Sequence, residues 1–101
     1  MAENSKTVIV TGAARGLGQA YGWAFAEQGW RVVVADRDGL DQTMEGFQNP
    51  DNHLALPVDI ADIASVQAMV AGAIDKFGAV DALINNAGLY GALTGGRAED
   101  I

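Results

Sequence analysis

TGAARGLG, residues 11–18, follows the apolar run Val8-Ile9-Val10 and precedes a segment of helical spacing; how its three glycines are read decides the fold. Glycine permits tight turns and close backbone approach, so the cluster is either a connecting turn or the floor of an anion site. The flanking elements separate the two readings.

KTVIVTG, residues 6–12, lacks polar alternation, as expected of a strand covered on both faces. Leu17, Ala20, Tyr21, Ala24 and Phe25 then recur at three- and four-residue spacing, which predicts a helix with Gly29 at its end. WRVVVAD predicts a second buried strand and GLDQTMEGF a short helix, with a loop at Asn49, Pro50, Asp51 and Asn52. HLALPVD predicts a third strand, in which Pro57 is tolerable near the end. Ile63, Val66, Met69, Val70, Ala73, Ile74 and Phe77 form the apolar stripe of the clearest helix, with Gly78 just beyond it. DALINNAG predicts a fourth strand running into a turn, and LYGALTGGRAEDI is loop-like. Strands alternating with helices predict an α/β fold: a Rossmann-type, doubly wound parallel sheet of order βαβαβαβ, with the fourth strand beside the first. Residues 1–101 are read as the N-terminal part of a single dinucleotide-binding domain, incomplete at the outer edge of the fourth strand.

In such a strand–loop–helix unit the loop meets a helix N-terminus, whose free amides and dipole favour an anion. Gly12 lets the chain leave the strand, Gly16 lets the backbone approach a pyrophosphate, and Gly18 lets the helix pack closely on the sheet. The spacing matches neither Gly-x-Gly-x-x-Gly nor the P-loop. Asp36 tips the balance. It closes the second strand about 20 residues beyond the glycines, where a carboxylate can accept hydrogen bonds from ribose hydroxyls. A ribose 2′-phosphate would meet a like charge there, which favours NAD over NADP. Arg15 and Arg37 are suited to that phosphate, so NADP or dual use stays open.

Composition bounds the alternatives. The length suits one small domain, and 50% hydrophobic residues suffice for a core. A net charge of −7 opposes non-specific binding to nucleic acid or anionic membrane. The absence of cysteine excludes disulfides and thiolate chemistry and fits a reducing cytoplasm. No signal-like N-terminus occurs, nor an apolar run approaching the roughly 20 residues of a membrane span, so a soluble, cytoplasmic protein is expected. His53 is the lone histidine, without a companion for a triad or metal site.

TGAARGLG, the strand-ending Asp36, VDI at 58–60 and NNAG at 85–88, in this order and spacing, resemble the short-chain dehydrogenase/reductase family. The resemblance implies an oxidoreductase interconverting an alcohol and a carbonyl by hydride exchange with NAD(P). It implies that Gly12, Arg15, Gly16, Leu17 and Gly18 line the pyrophosphate and nicotinamide side and that Asp36 binds the adenosine ribose. Asp59 would accept from the adenine amino group with the Ile60 backbone beside it. Asn86, Ala87 and Gly88 would form the turn near the adenosine ribose that supports the sheet.

Family members also use a Tyr with a Lys four residues later, and a Ser. The only lysines are Lys6 and Lys76, and Gly72 stands four before the latter. Tyr21 and Tyr90 are followed four residues on by Phe25 and Thr94, while Ser5 precedes the first strand and Ser65 lies in the third helix, both read as structural. These residues therefore hold no catalytic set, and the 101-residue chain alone is expected to be inert. The ALIN edge and one face of the first strand are expected to be exposed, so that the chain forms a homo-oligomer or is completed by a chain carrying the C-terminal half. Two other readings stand beside this one. A non-catalytic dinucleotide-binding sensor or scaffold needs no Tyr-x-x-x-Lys. A SAM-dependent methyltransferase also places an acidic residue after its second strand, but leaves NNAG unexplained.

Overall fold

The computed structural model describes residues 5–86. Four strands, β1 (Thr7–Thr11), β2 (Arg31–Asp36), β3 (Leu54–Pro57) and β4 (Ala82–Asn85), alternate with helices α1 (Gly16–Glu27), α2 (Asp41–Glu45) and α3 (Ile63–Phe77), with a 3-10 turn at Pro50–Asn52. All pairings are parallel and the sheet order is β3-β2-β1-β4, so the fourth strand lies beside the first as the pattern predicted.

The unbroken β-branched runs have a direct physical outcome. Val8, Val10, Val32 and Val34 face one side, packing with Phe47 and the half-buried Trp23 and Met44. Ile9, Val33 and Ala35 face the other, against Val58, Met69 and Ala73. A fully buried Val or Ile contributes about 1.5–3 kcal/mol, so the two central strands are the main source of stability. The expectation that one face of the first strand is exposed is overturned: all five residues of β1 are buried. With β2 and β4 on either side, α1 closing one face and α3 reaching Ile9 from the other, β1 is interior. Exposure on the ALIN segment falls on Leu83 and Asn85, while Ala82 and Ile84 pack against the core.

Two helix faces also differ from the apolar spacing. On α1 the buried residues are Gly18 and Gly22, whereas Leu17 and Tyr21 of the predicted stripe are exposed, as are Ala20 and Ala24. The glycines let the helix backbone approach closely: Gly22 sits against Val34 and Val32, and at Gly18 the Gly12 carbonyl leaves no room for a side chain. On α3 the buried line is Met69 and Ala73, flanked by Val66, Val70 and Phe77; Ile63 and Ile74 are exposed. Ile63 stands at the first residue of the helix and Ile74 next to the buried Ala73, so both lie off the contact line with the sheet. The helix ends conform to the sequence: the Asp62 side chain accepts from the Ala64 amide at 3.0 Å, and Gly78 closes the other end in a left-handed conformation at φ 88.

His53 gains a role that its sequence position did not announce. Its Nδ1 accepts from the Val32 amide at 3.1 Å, and its ring stacks on Phe47 with centroids 4.1 Å apart. Burial pushes its pKa below the ordinary 6.5, because the neutral ring with Nδ1 as acceptor is the form the fold accommodates. A folded-state pKa below the unfolded one means that this stabilisation is present above about pH 6.5 and is lost as pH falls through the unfolded pKa towards the folded one. The urea midpoint is therefore expected to drop between pH 7.5 and 5, and His53→Gln, which offers an untitratable acceptor, to flatten the drop. An identical pH profile for the variant would remove His53 as its cause.

Candidate functional site

Parallel pairing places the ends of β1, β2 and β3 along one rim of the sheet, where α/β folds bind ligands. The loop leaving β1 turns at Gly12 (φ 66) and enters α1 through Gly16 (φ 61), both in the left-handed region that favours glycine. Arg15 occupies the N-cap without a side-chain cap bond, and the first turn holds no acidic residue. The positive end of the α1 dipole is thus not neutralised by a capping side chain. Gly18 lies directly beneath Gly12, in van der Waals contact that leaves no room for a Cβ.

Asp36 joins this loop to β2. One carboxylate oxygen accepts from the Ala14 amide at 3.0 Å, the other from the Arg37 amide at 2.7 Å. Because a carboxylate offers about four acceptor positions, two remain for hydroxyl groups of a ligand. Gly12, Asp36, Arg37, Val58, Asp59, Ile60 and Ala61 line a cleft of about 280 Å³. On its far side the Val58 amide donates to the Asp36 carbonyl at 2.9 Å, continuing the β2–β3 pairing. The Asp59 carboxylate accepts from the Ala61 amide at 3.0 Å, while the Asp59 amide donates to the Ser65 hydroxyl at 2.9 Å. Ser65 thus holds the turn before α3.

Asn86, almost fully buried, donates from Nδ2 to the Gly12 carbonyl at 3.2 Å and ties the end of β4 to the glycine loop. Thr11 adds a second tie, donating to Asn85 Oδ1 at 3.0 Å. The sequence-selected residues Gly12, Gly16, Gly18, Asp36, Asp59 and Asn86 therefore gather at one rim, with Arg15, Leu17, Arg37 and Ile60 exposed around it. Ala87 and Gly88 lie outside the described residues. A larger cleft of about 590 Å³, lined by Trp30, Arg31, His53 and Phe77, opens at the opposite end of the strands, away from the glycines. Among the described residues no group of three or more His, Asp or Glu could hold a metal ion, and no helix is long and apolar enough to cross a membrane.

Residues 6–100 match the family described as short chain dehydrogenase. The chain belongs to the short chain dehydrogenase family. It is 44% identical over 93 residues to an uncharacterized oxidoreductase of Mycobacterium tuberculosis, covering 89% of this chain and 38% of that protein. It is 41% identical over 92 residues to an L-rhamnose 1-dehydrogenase (NAD(P)(+)) of Azotobacter vinelandii, covering 83% and 36%. Among solved structures, the 3-ketoacyl-(acyl-carrier-protein) reductase of Brucella melitensis complexed with NADH aligns with a TM-score of 0.71 and 39% identity, over 77% of this chain and 32% of that one. The chain thus spans about a third of the length of these short chain dehydrogenase relatives.

Two side chains at the loop escaped the sequence reading. Gln19 and Thr43 both hydrogen-bond at residues 13–14 from beneath. Neither belongs to the glycine pattern, and no residue spacing links position 43 to position 13.

Proposed function

We propose that these residues form the dinucleotide-binding part of an NAD(P)-dependent short chain dehydrogenase, with NAD preferred, acting on an alcohol or its carbonyl partner. The observation that carries this reading is the Asp36 carboxylate. It is tied to the glycine loop through the Ala14 amide yet keeps acceptor capacity toward the cleft. Ribose hydroxyls would use that capacity, Asp59 and Ile60 would flank the adenine, and the uncapped α1 N-terminus with Gly12 and Gly16 would face the pyrophosphate. Gly18 and Asn86 would hold the loop rather than touch the ligand. When bound, the nicotinamide would accept or deliver the hydride. The family pattern of Tyr and Lys for proton transfer is absent from these 101 residues. The partly exposed β4 edge, with Leu83 outward, supports association with a second copy or with a chain carrying the remaining family segments. The absence of cysteine is the support for a reducing, cytoplasmic setting.

Calorimetric titration with NAD+, NADP+ and S-adenosylmethionine tests the reading. NAD+ is expected to bind with the highest affinity, and the 101-residue chain to show no hydride transfer to any alcohol by absorbance at the reduced-nicotinamide band. Preference for S-adenosylmethionine would overturn the proposal, and turnover by the 101-residue chain would overturn the absence of a catalytic set.

A further inference from the structure

Beneath the glycine loop, α2 contributes one fully buried residue, Thr43. Its hydroxyl donates to the Ala13 carbonyl at 2.7 Å and accepts from Gln19 Nε2 at 3.0 Å. Gln19, on the first turns of α1, also donates to the Ala14 carbonyl at 3.3 Å. On the other side of the same peptide units, the Ala13 amide donates to the Ala35 carbonyl at 3.1 Å and the Ala14 amide to Asp36. Both amides and both carbonyls of residues 13 and 14 are therefore held, by groups from β2, α1 and α2. Trp23 fastens the anchor itself, its indole N–H donating to the Thr43 carbonyl at 2.9 Å.

Resting on the dinucleotide reading above, we infer that Thr43 is a positioning residue for the pyrophosphate loop: with Gln19 it fixes the peptide groups of residues 13 and 14, and so the direction of the amides that follow them. The physical reason lies in the glycines. Gly12 and Gly16 give the loop the left-handed turns it needs, but they also widen the range of conformations open to it. Ala13 and Ala14 stand between them, and clamping these two removes that freedom before any ligand arrives. The hydroxyl of Thr43 is well suited, since one group both donates to the loop and accepts from the second clamp.

The test compares Thr43→Val, which keeps the shape and removes the hydroxyl, with Thr43→Ser, which keeps the hydroxyl. NAD+ and adenosine, which lacks the pyrophosphate, are titrated against each, and amide hydrogen exchange is followed at residues 13–16 without ligand. Thr43→Val is expected to weaken NAD+ by about fivefold, the worth of one hydrogen bond, with adenosine unchanged and loop exchange faster. Thr43→Ser should restore both. Wild-type NAD+ affinity and unchanged exchange in Thr43→Val would overturn the inference. So would equal weakening of NAD+ and adenosine that serine does not restore, which marks a general loss of structure. A wild-type chain that binds no NAD+ would overturn the functional reading, and the exchange rates would then still decide whether Thr43 pins the loop.

Discussion

Gly18→Ala is expected to destabilise the chain by about 3 kcal/mol, a large share of the stability of a small domain, and to remove the rim site with it. A Cβ at this position would overlap the Gly12 carbonyl oxygen and stand 2.7 Å from the carbonyl carbon and 2.9 Å from Asn86 Nδ2. None of these groups is the free end of a flexible side chain. The Gly12 carbonyl belongs to the loop backbone and accepts from Asn86, which is itself buried at the end of β4. Relief therefore requires α1 to lift from the loop, which would expose the β1–β2 core that α1 covers. Gly22 is the internal control. There the nearest atom to a Cβ would be Val34 Cγ1 at 3.2 Å, with Val32 and Phe47 at ordinary contact distance, a fit eased by small shifts, and the gain in helix propensity of up to about 1 kcal/mol works in the opposite direction. Gly22→Ala is expected within about 1 kcal/mol of wild type. Urea unfolding followed by circular dichroism measures both. Equal midpoints for the two variants would show that Gly18 is not the contact point between helix and loop.

That contrast also shows where a sequence stops being legible. The strands of this sheet are written in single residues: Val8, Ile9, Val10 and Val32, Val33, Val34 are apolar on both faces, which only a sheet covered on both sides can use. The rim residues are legible for a related reason, since Gly12, Gly16, Gly18 and Asp36 each answer a local backbone or charge requirement at a fixed distance from a strand end. The contact face of α1 is only partly legible by apolarity: Phe25 of the apolar spacing packs against the core, but Gly18 and Gly22 carry no hydrophobic signal and owe their burial to the absence of a side chain. Ile63 and Ile74 fail in the opposite sense: apolar and correctly spaced, they lie beyond the area of sheet that α3 covers. Thr43 and His53 are illegible for a third reason. Their partners, the Ala13 carbonyl and the Val32 amide, are backbone groups that any residue possesses, brought near only by the assembled fold.

Asp36→Ala is expected to lower NAD+ affinity by about 100-fold, the cost of losing about two charge-assisted hydrogen bonds, while NADP+ affinity stays level or rises. The asymmetry follows from charge. A ribose 2′-phosphate placed about 4 Å from the Asp36 carboxylate would be opposed by about 4 kcal/mol at an effective dielectric near 20, a repulsion that alanine abolishes. Loss of geometry must be separated from loss of charge, since the same carboxylate holds the Ala14 amide. Asp36→Asn separates them: its amide oxygen can still accept from Ala14, but the side chain is neutral. It is expected to retain more NAD+ affinity than alanine while gaining NADP+ affinity comparably, so that the ratio of the two dissociation constants moves with charge and the absolute NAD+ affinity with the loop contact. Titration of all three proteins with both dinucleotides at fixed ionic strength measures this. Equal affinities of the wild-type chain for NAD+ and NADP+ would overturn the expected preference and show that Arg15 and Arg37, exposed at the same rim, offset the Asp36 charge with their own.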